Sequence, residues 1–157
     1  VGNSAWYDLG KGIGTSKTFT IDIATANQFP NALSGTLQLC VRTFSGTTMI
    51  GADYYHNVTV SVPSYTPTIS NIKLTGNNLL SGEYVHGKST LNVEITASSL
   101  YGATIRTYSS AIDRKNYSGN KFTTAALSSV NTNVFVTVTD SRGISATKWS
   151  PNIVVRE

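Results

Sequence analysis

One cysteine, two histidines and eight acidic residues in 157 positions leave little reactive chemistry in this chain. A lone thiol, Cys40, excludes an internal disulfide framework, so stability has to come from apolar burial. No His or Asn pattern accompanies Cys40, which argues for a packed thiol rather than a nucleophile. Charged side chains make up 13% of the residues, about half the usual share. Long amphipathic helices, which are rich in Glu, Lys, Ala and Leu, are therefore not expected. No run approaches the roughly eighteen apolar residues of a membrane-spanning helix. The eight acids contain no close pair that could serve acid–base hydrolysis of a glycosidic bond. His56 and His86 lack metal-ligand spacing, and Asp140 alone falls far short of a calcium shell. The expectation is no catalytic residue, no metal and no cofactor.

Hydroxyls are present instead. Ser and Thr together number 41, so the polar surface is built from neutral groups. With Val, Ile and Tyr, they give the composition of pleated sheet. Alternation at period two recurs along the chain. In "TFTIDIA", Phe19, Ile21 and Ile23 share a face; in "TLQLCVRTF", Leu37, Leu39 and Val41 do; in "NVTVSV", Val58, Val60 and Val62 do. Residues 63–68, "PSYTPT", place two prolines within five residues, and proline removes a ladder donor. This stretch reads as a stiff linker and a domain boundary. Charge changes there too: residues 1–65 hold three basic and three acidic residues, whereas 66–157 hold nine and five. The excess of four positive charges is not clustered with aromatics, so no nucleic-acid partner is expected.

Beyond the linker, Leu91, Val93, Ile95 and Ala97 alternate in "STLNVEITAS". Val134, Val136 and Val138 do the same against Phe135, Thr137 and Thr139, up to a turn at Asp140-Ser141-Arg142-Gly143. Asp first and Gly fourth suit a type I turn. "KNYSGNKF" reads as a short hairpin and "NIVV" as a last strand. About seven short strands in roughly ninety residues predict a sandwich of immunoglobulin or fibronectin type III architecture. The fold class is thus all-β: tandem antiparallel sandwiches, residues 1–65 being small or incomplete and 66–157 complete.

"GEYVHGKST", Gly82 to Thr90, matches the phosphate-loop pattern G-x-x-x-x-G-K-[ST] letter for letter. Such a loop works by following a strand and opening a helix, whose free N–H groups converge on phosphate. Here the next residues alternate as a strand, and "TGNNLLSG" upstream is turn chemistry. The motif lacks its context.

Aromatic side chains are the remaining candidates, since exposed rings stack on sugars. Tyr54 and Tyr55 in "DYYHN" place one ring outward and are the named candidates for glycan contact. Tyr101, Tyr108, Tyr117 and Trp149 are further ones, with Trp149 also a candidate core ring.

Four elements occur in order: Tyr84 to Ser89, Tyr101 to Tyr108, Tyr117 to Phe122, and Thr139 to Gly143. This combination resembles the Ig-like repeat module of minor structural and tail proteins of siphophages infecting streptococci and related Gram-positive bacteria. "RTFSGTTMIGAD" is similar to the end of a preceding module. The resemblance covers most of residues 40–157 and implies a non-enzymatic, tail-associated virion module acting as spacer or host-adhesion unit. It implies other virion tail proteins as partners, and exposure to the extracellular medium after assembly. Two rivals remain open: a carbohydrate-binding module for host cell-wall polysaccharide, and a bacterial surface adhesin repeat.

Lys88→Ala is expected to leave the fold intact. Calorimetric titration with Mg-ATP or Mg-GTP should give no saturable heat. Binding tighter than about 100 µM, roughly −5.5 kcal/mol, contradicts the strand reading of that loop.

Overall fold

A computed structural model of the chain describes residues 6–157. Its regular structure is antiparallel sheet in the main, with one 3-10 helix over Ile23–Gln28. The first two strands, β1 (Ser34–Ser45) and β2 (Thr48–Ser61), pair only with each other. The other strands are β3 (Thr68–Asn77), β4 (Tyr84–Val85), β5 (Thr90–Ser98), β6 (Ile105–Ile112), β7 (Lys115–Ser118) and β8 (Lys121–Thr123). They continue with β9 (Asn131–Thr132), β10 (Phe135–Asp140), β11 (Ser145–Trp149) and β12 (Ile153–Arg156). These form a four-stranded sheet, β11-β10-β6-β7, and a three-stranded sheet, β3-β5-β8. A third, β4-β12-β9, pairs β12 with β4 in parallel.

Period-two alternation builds the core. Leu91, Val93 and Ile95 of β5 are buried, as are Val136 and Val138 of β10 and the preceding Val134. They join Ile69, Ile72, Ile112, Leu127, Ile153 and Val155 in one cluster shared by the sheets. The predicted turn after β10 is present, closed by the Gly143 N–H donating to the Asp140 carbonyl at 3.0 Å.

Two expected elements differ. β7 and β8 do not form a hairpin: β7 pairs with β6 and β8 with β5, so the chain crosses between sheets at Gly119. Tyr117 stacks on Phe122 across that crossover, with centroids 4.8 Å apart, which keeps both rings packed without a ladder. "TFTIDIA" is not a strand. The Asp22 side chain accepts from the Ala24 N–H at 2.8 Å, capping the 3-10 helix in the middle of the alternating run. Local capping by an Asx side chain competes with extended pairing, and here it wins.

The first segment is a long two-stranded ribbon. Leu37 lies opposite Val58 and Val41 opposite Tyr54, so the expected apolar face exists. Among the described residues, no second sheet pairs with the ribbon or closes it into a sandwich. The side chains on that face are half-buried near the base and exposed beyond Cys40.

The ribbon is seated on the larger unit by Arg142, at the third position of the β10–β11 turn. Its Nε donates to the carbonyls of Phe29 and Ala32 at 2.8 and 2.9 Å. Nη2 donates to Ala26 and Tyr101 carbonyls, and Nη1 to the Leu100 carbonyl and the Tyr65 hydroxyl. All five N–H donors of the guanidinium are thereby used, Nε being shared between two acceptors. The Tyr65 hydroxyl in turn donates to Asp140 Oδ2 at 2.6 Å, relaying the charge to a carboxylate. Ser141 adds a bond from its hydroxyl to the Pro30 carbonyl. Contact is close elsewhere in the joint. Gly102, at φ +77°, passes so near the helix that a Cβ would stand 2.9 Å from Asn27 Cα. Phe29 covers Gly35 at the ribbon base, leaving no room for any side chain there.

Val136→Ala should cost about 1–3 kcal/mol from lost burial and a cavity. Thr137→Ala, on the solvent side of the same strand, should cost well under about 1 kcal/mol. Urea melts of the two variants check the register. Burial pushes the Asp140 carboxyl up, but bonds from Tyr65, Ser99 and the Ile144 and Arg142 amides outweigh it and hold it low. Asp113 is likewise held low by Ser128 and Ser129 against its own burial. Such groups bind fewer protons folded than unfolded, so their stabilisation is complete above about pH 5. It drains as pH falls through about 4 and below. Urea midpoints against pH should fall on that acid limb, and Asp140→Asn should start lower at neutral pH and fall less steeply.

Candidate functional surfaces

In the loop carrying the phosphate-like motif, the successive amides from Val85 to Ser89 are all engaged within the protein. The His86 N–H donates to the Arg156 carbonyl and Gly87 to Leu127, while Lys88 and Ser89 both donate to Val85. The Ser89 hydroxyl is buried, accepting from the Val85 N–H at 2.8 Å and donating to the Asn78 carbonyl. Lys88 points to solvent, and β5 follows directly at Thr90. The Gly-Lys-Ser string is a strand entry whose hydrogen bonds tie β4 to β12 and to the chain before β9.

Among the described residues, no three of His, Cys, Asp and Glu gather as a metal site would require. Two shallow depressions exist. One, of about 320 Å³, lies around Tyr84, Leu74 and Ile153 beside the exposed Glu83–Arg156 pair at 3.2 Å. The other, of about 300 Å³, is an apolar hollow between Ile21, Ile23, Phe29 and Val60. Each is lined by a single carboxylate, Glu83 or Asp22. Glycosidic hydrolysis by the common two-carboxylate route has no pair in either.

Tyr54 and Tyr55 do not form one platform. Adjacent in β2, they project to opposite faces of the ribbon. Tyr54 is 64% exposed across from Val41. Tyr55, across from Cys40, donates its hydroxyl to Asp53 Oδ2 at 3.0 Å. Asp53 also receives Arg42 through two parallel bonds of 2.8 and 2.9 Å. The Arg42 and Tyr55 bonds hold the Asp53 carboxyl low, and the bond to Asp53 pushes the Tyr55 phenol up. Tyr55 therefore stays a neutral, anchored ring, with Trp6 at 6.2 Å.

The other aromatic candidates divide. Tyr101 stands edge-on to Tyr65 inside the joint, and Tyr108 and Tyr117 pack against the core. Trp149 is not a core ring. It is 58% exposed at the end of β11, in contact with Phe135 at 4.4 Å between centroids. The register explains why: Trp149, Phe135 and Ala111 are direct partners on the outer face of the four-stranded sheet. Continuing across that face come Thr137 with Thr147 and Ser109, and Thr139 with Ser145 and Thr107. Asn116 and Ser118 complete it on β7. No residue of this open face is charged. Its neutrality follows from the alternation already visible in sequence, but cross-strand neighbours become evident only once the register is known.

No curated protein and no solved structure matches the chain. A family match spans residues 2–156, nearly the whole length, and the protein therefore belongs to the siphovirus protein family of unknown function DUF859.

Proposed function

We propose that the chain is a non-enzymatic structural module of the siphophage virion, tail-associated, in which a sandwich domain rigidly carries a ribbon and acts as spacer or host-adhesion unit. The observation that carries this reading is the Arg142 joint. A guanidinium with every donor engaged, by carbonyls from residues 26–32 on one side and 100–101 on the other and by the Tyr65 hydroxyl, fixes the ribbon against the sandwich. A unit of defined shape is what a spacer needs, and a floppy tether would not transmit position. Membership of a siphovirus family is consistent with virion proteins as partners and with exposure after assembly. No helix among the described residues is long and apolar enough to cross a membrane.

Residues 66–157 form the Ig-like domain in this reading, and 1–65 the accessory one. The strand order supports the assignment. β3-β5-β8 packed over β11-β10-β6-β7 matches the order A-B-E facing G-F-C-C′, and Val93 of β5 with Val136 and Val138 of β10 fills the core between the two strands that the disulfide joins in antibody domains. β12, paired with β4 and β9, is an addition to that plan.

The adhesion reading is favoured by the neutral outer face with Trp149 and Phe135. Neutral sugars present apolar CH faces that stack on rings and hydroxyls that bond to Thr, Ser and Asn, and they gain nothing from charge. Single contacts of this sort are weak and gain strength by repetition on a virion.

Two experiments test the proposal. Arg142→Ala and Gly102→Ala should each leave the melting of the sandwich core largely in place but loosen the joint. Limited proteolysis across residues 62–67 should accelerate about tenfold, as for a loss of roughly 1.4 kcal/mol of local closure, and small-angle scattering should show a broader size distribution. Unchanged cleavage and scattering contradict the rigid spacer. For adhesion, a multimerised protein is incubated with purified streptococcal cell walls. Retention lost in Trp149→Ala and Phe135→Ala but kept in Tyr54→Ala and Tyr55→Ala supports the sheet face. Reducing sugar released into the supernatant contradicts the non-enzymatic reading.

A further inference from the structure

On the outer face of the four-stranded sheet, cross-strand pairing sorts the side chains into rows at right angles to the strands. The first row is Trp149, Phe135, Ala111 and Asn116, and the second is Thr147, Thr137, Ser109 and Ser118. Members of a row are about 4.8 Å apart, the strand spacing, and the two rows are about 7 Å apart, two residues along a strand. A third row begins with Ser145 and Thr139, whose hydroxyls bond to each other at 2.7 Å. The second row is not closed in this way. None of its four hydroxyls has a hydrogen-bond partner among the described residues, and neither has the Asn116 amide. Along a strand, ring gives way to hydroxyl after one step, from Phe135 to Thr137 and from Trp149 to Thr147. Across the strands the two rings are neighbours, 4.4 Å between centroids. A ligand that covers both rings therefore lies across the strands.

We infer that this face takes an internal stretch of an uncharged, extended polysaccharide running across all four strands. Its sugar CH faces rest on the Trp149–Phe135 row, and its hydroxyls meet the row from Thr147 to Ser118. The inference rests on the adhesion reading and names the ligand of that surface.

The openness of the face selects an internal stretch over a chain end. Single sugars and chain ends are held in concave sites that bury most of the ligand. The two depressions lie elsewhere, around Tyr84 and around Ile21, and neither borders these rows. Spacing selects an extended chain. The free hydroxyls recur at the strand spacing, which is close to the rise of one pyranose unit in an extended β-linked polymer, so four strands match on the order of four sugars. Ala111 is the short member of the first row, so a chain leaving Phe135 can approach the sheet before it reaches the Asn116 amide. Charge selects a neutral polymer. Residues 66–157 hold nine basic and five acidic side chains, yet none lies in either row. A phosphate-bearing chain would find no cation there, whereas a neutral glycan needs none.

Competition on purified streptococcal cell walls tests the inference. Polysaccharide released from the walls is separated by charge and by length, and each fraction competes for retention of the multimerised protein on intact walls. Uncharged fragments of about four or more sugars should displace it at concentrations about tenfold below those of mono- and disaccharides. Phosphate-bearing fragments of the same length should not compete. Asn116→Ala, at the far end from the rings, should remove most of the advantage of long fragments while short ones compete as before. Ser145→Ala, in the closed third row, should change neither. Both positions are exposed, and unchanged urea midpoints verify that the variants fold. Equal competition by short and long fragments overturns the inference and leaves adhesion standing. Competition by phosphate-bearing fragments, or a length advantage that survives Asn116→Ala, has the same consequence. No retention on walls at all removes the adhesion reading and this inference with it.

Discussion

A buried guanidinium bound almost entirely by carbonyl oxygens holds this molecule in shape. Taking a cation out of water is expensive, and the loss is offset only when each donor finds an acceptor. Arg142 meets that condition with five main-chain carbonyls and a tyrosine hydroxyl. A lysine ammonium has three donors on one atom and could not reach two groups of carbonyls at once. The planar fork is what allows one side chain to serve residues 26–32 and 100–101 together. Three of those carbonyls, of Ala26, Phe29 and Leu100, also accept from the Phe29, Ala32 and Ala103 amides, so Arg142 ties together turns that are already closed.

The turn that presents Arg142 is itself held by Asp140. One carboxylate oxygen accepts from the Arg142 and Ile144 amides, and the other from Tyr65 and Ser99 hydroxyls. Its position is anchored by the β10 ladder, whose register to β6 shifts just there, between Thr139 and Asp140. Ser141 bonds both to the Pro30 carbonyl and to the Thr104 amide, tying the turn to either side. Core alternation fixes the strand, the strand fixes the turn, and the turn fixes the ribbon. The route from Val136 to the ribbon is thus a chain of short, fully satisfied contacts.

The legible parts of the sequence are those where one periodicity acts alone. Leu91 to Ile95 and Val134 to Val138 alternate without interruption, and they form the core as read. Asp140 and Gly143 carried a turn signal, and the turn is there. Arg142 between them carried none. Its acceptors are carbonyls up to 116 residues away, and a carbonyl has no letter in a sequence. "TFTIDIA" misled because Asp22 caps a helix as readily as it sits on the polar side of a strand. Gly87-Lys88-Ser89 has amides that look available in sequence until the fold brings up the Leu127 and Val85 carbonyls that accept from them. Trp149 was ambiguous because an aromatic in a hairpin can face either layer, and only the pairing with Phe135 decides it.

The same hairpin separates the two exposed surfaces. Arg142 sits at its turn, next to the ribbon joint, whereas Trp149 and Phe135 pair at its open end. Five residues at about 3.3 Å each place them on the order of 15 Å apart along the sheet. A contact made by the ribbon therefore leaves the aromatic face free, and a ligand on that face need not disturb the joint. Under the proposed function, that separation lets spacer and adhesion roles coexist in one module: the joint lies at one end of β10 and β11, the aromatic pair at the other, and the buried valines between them keep the distance constant.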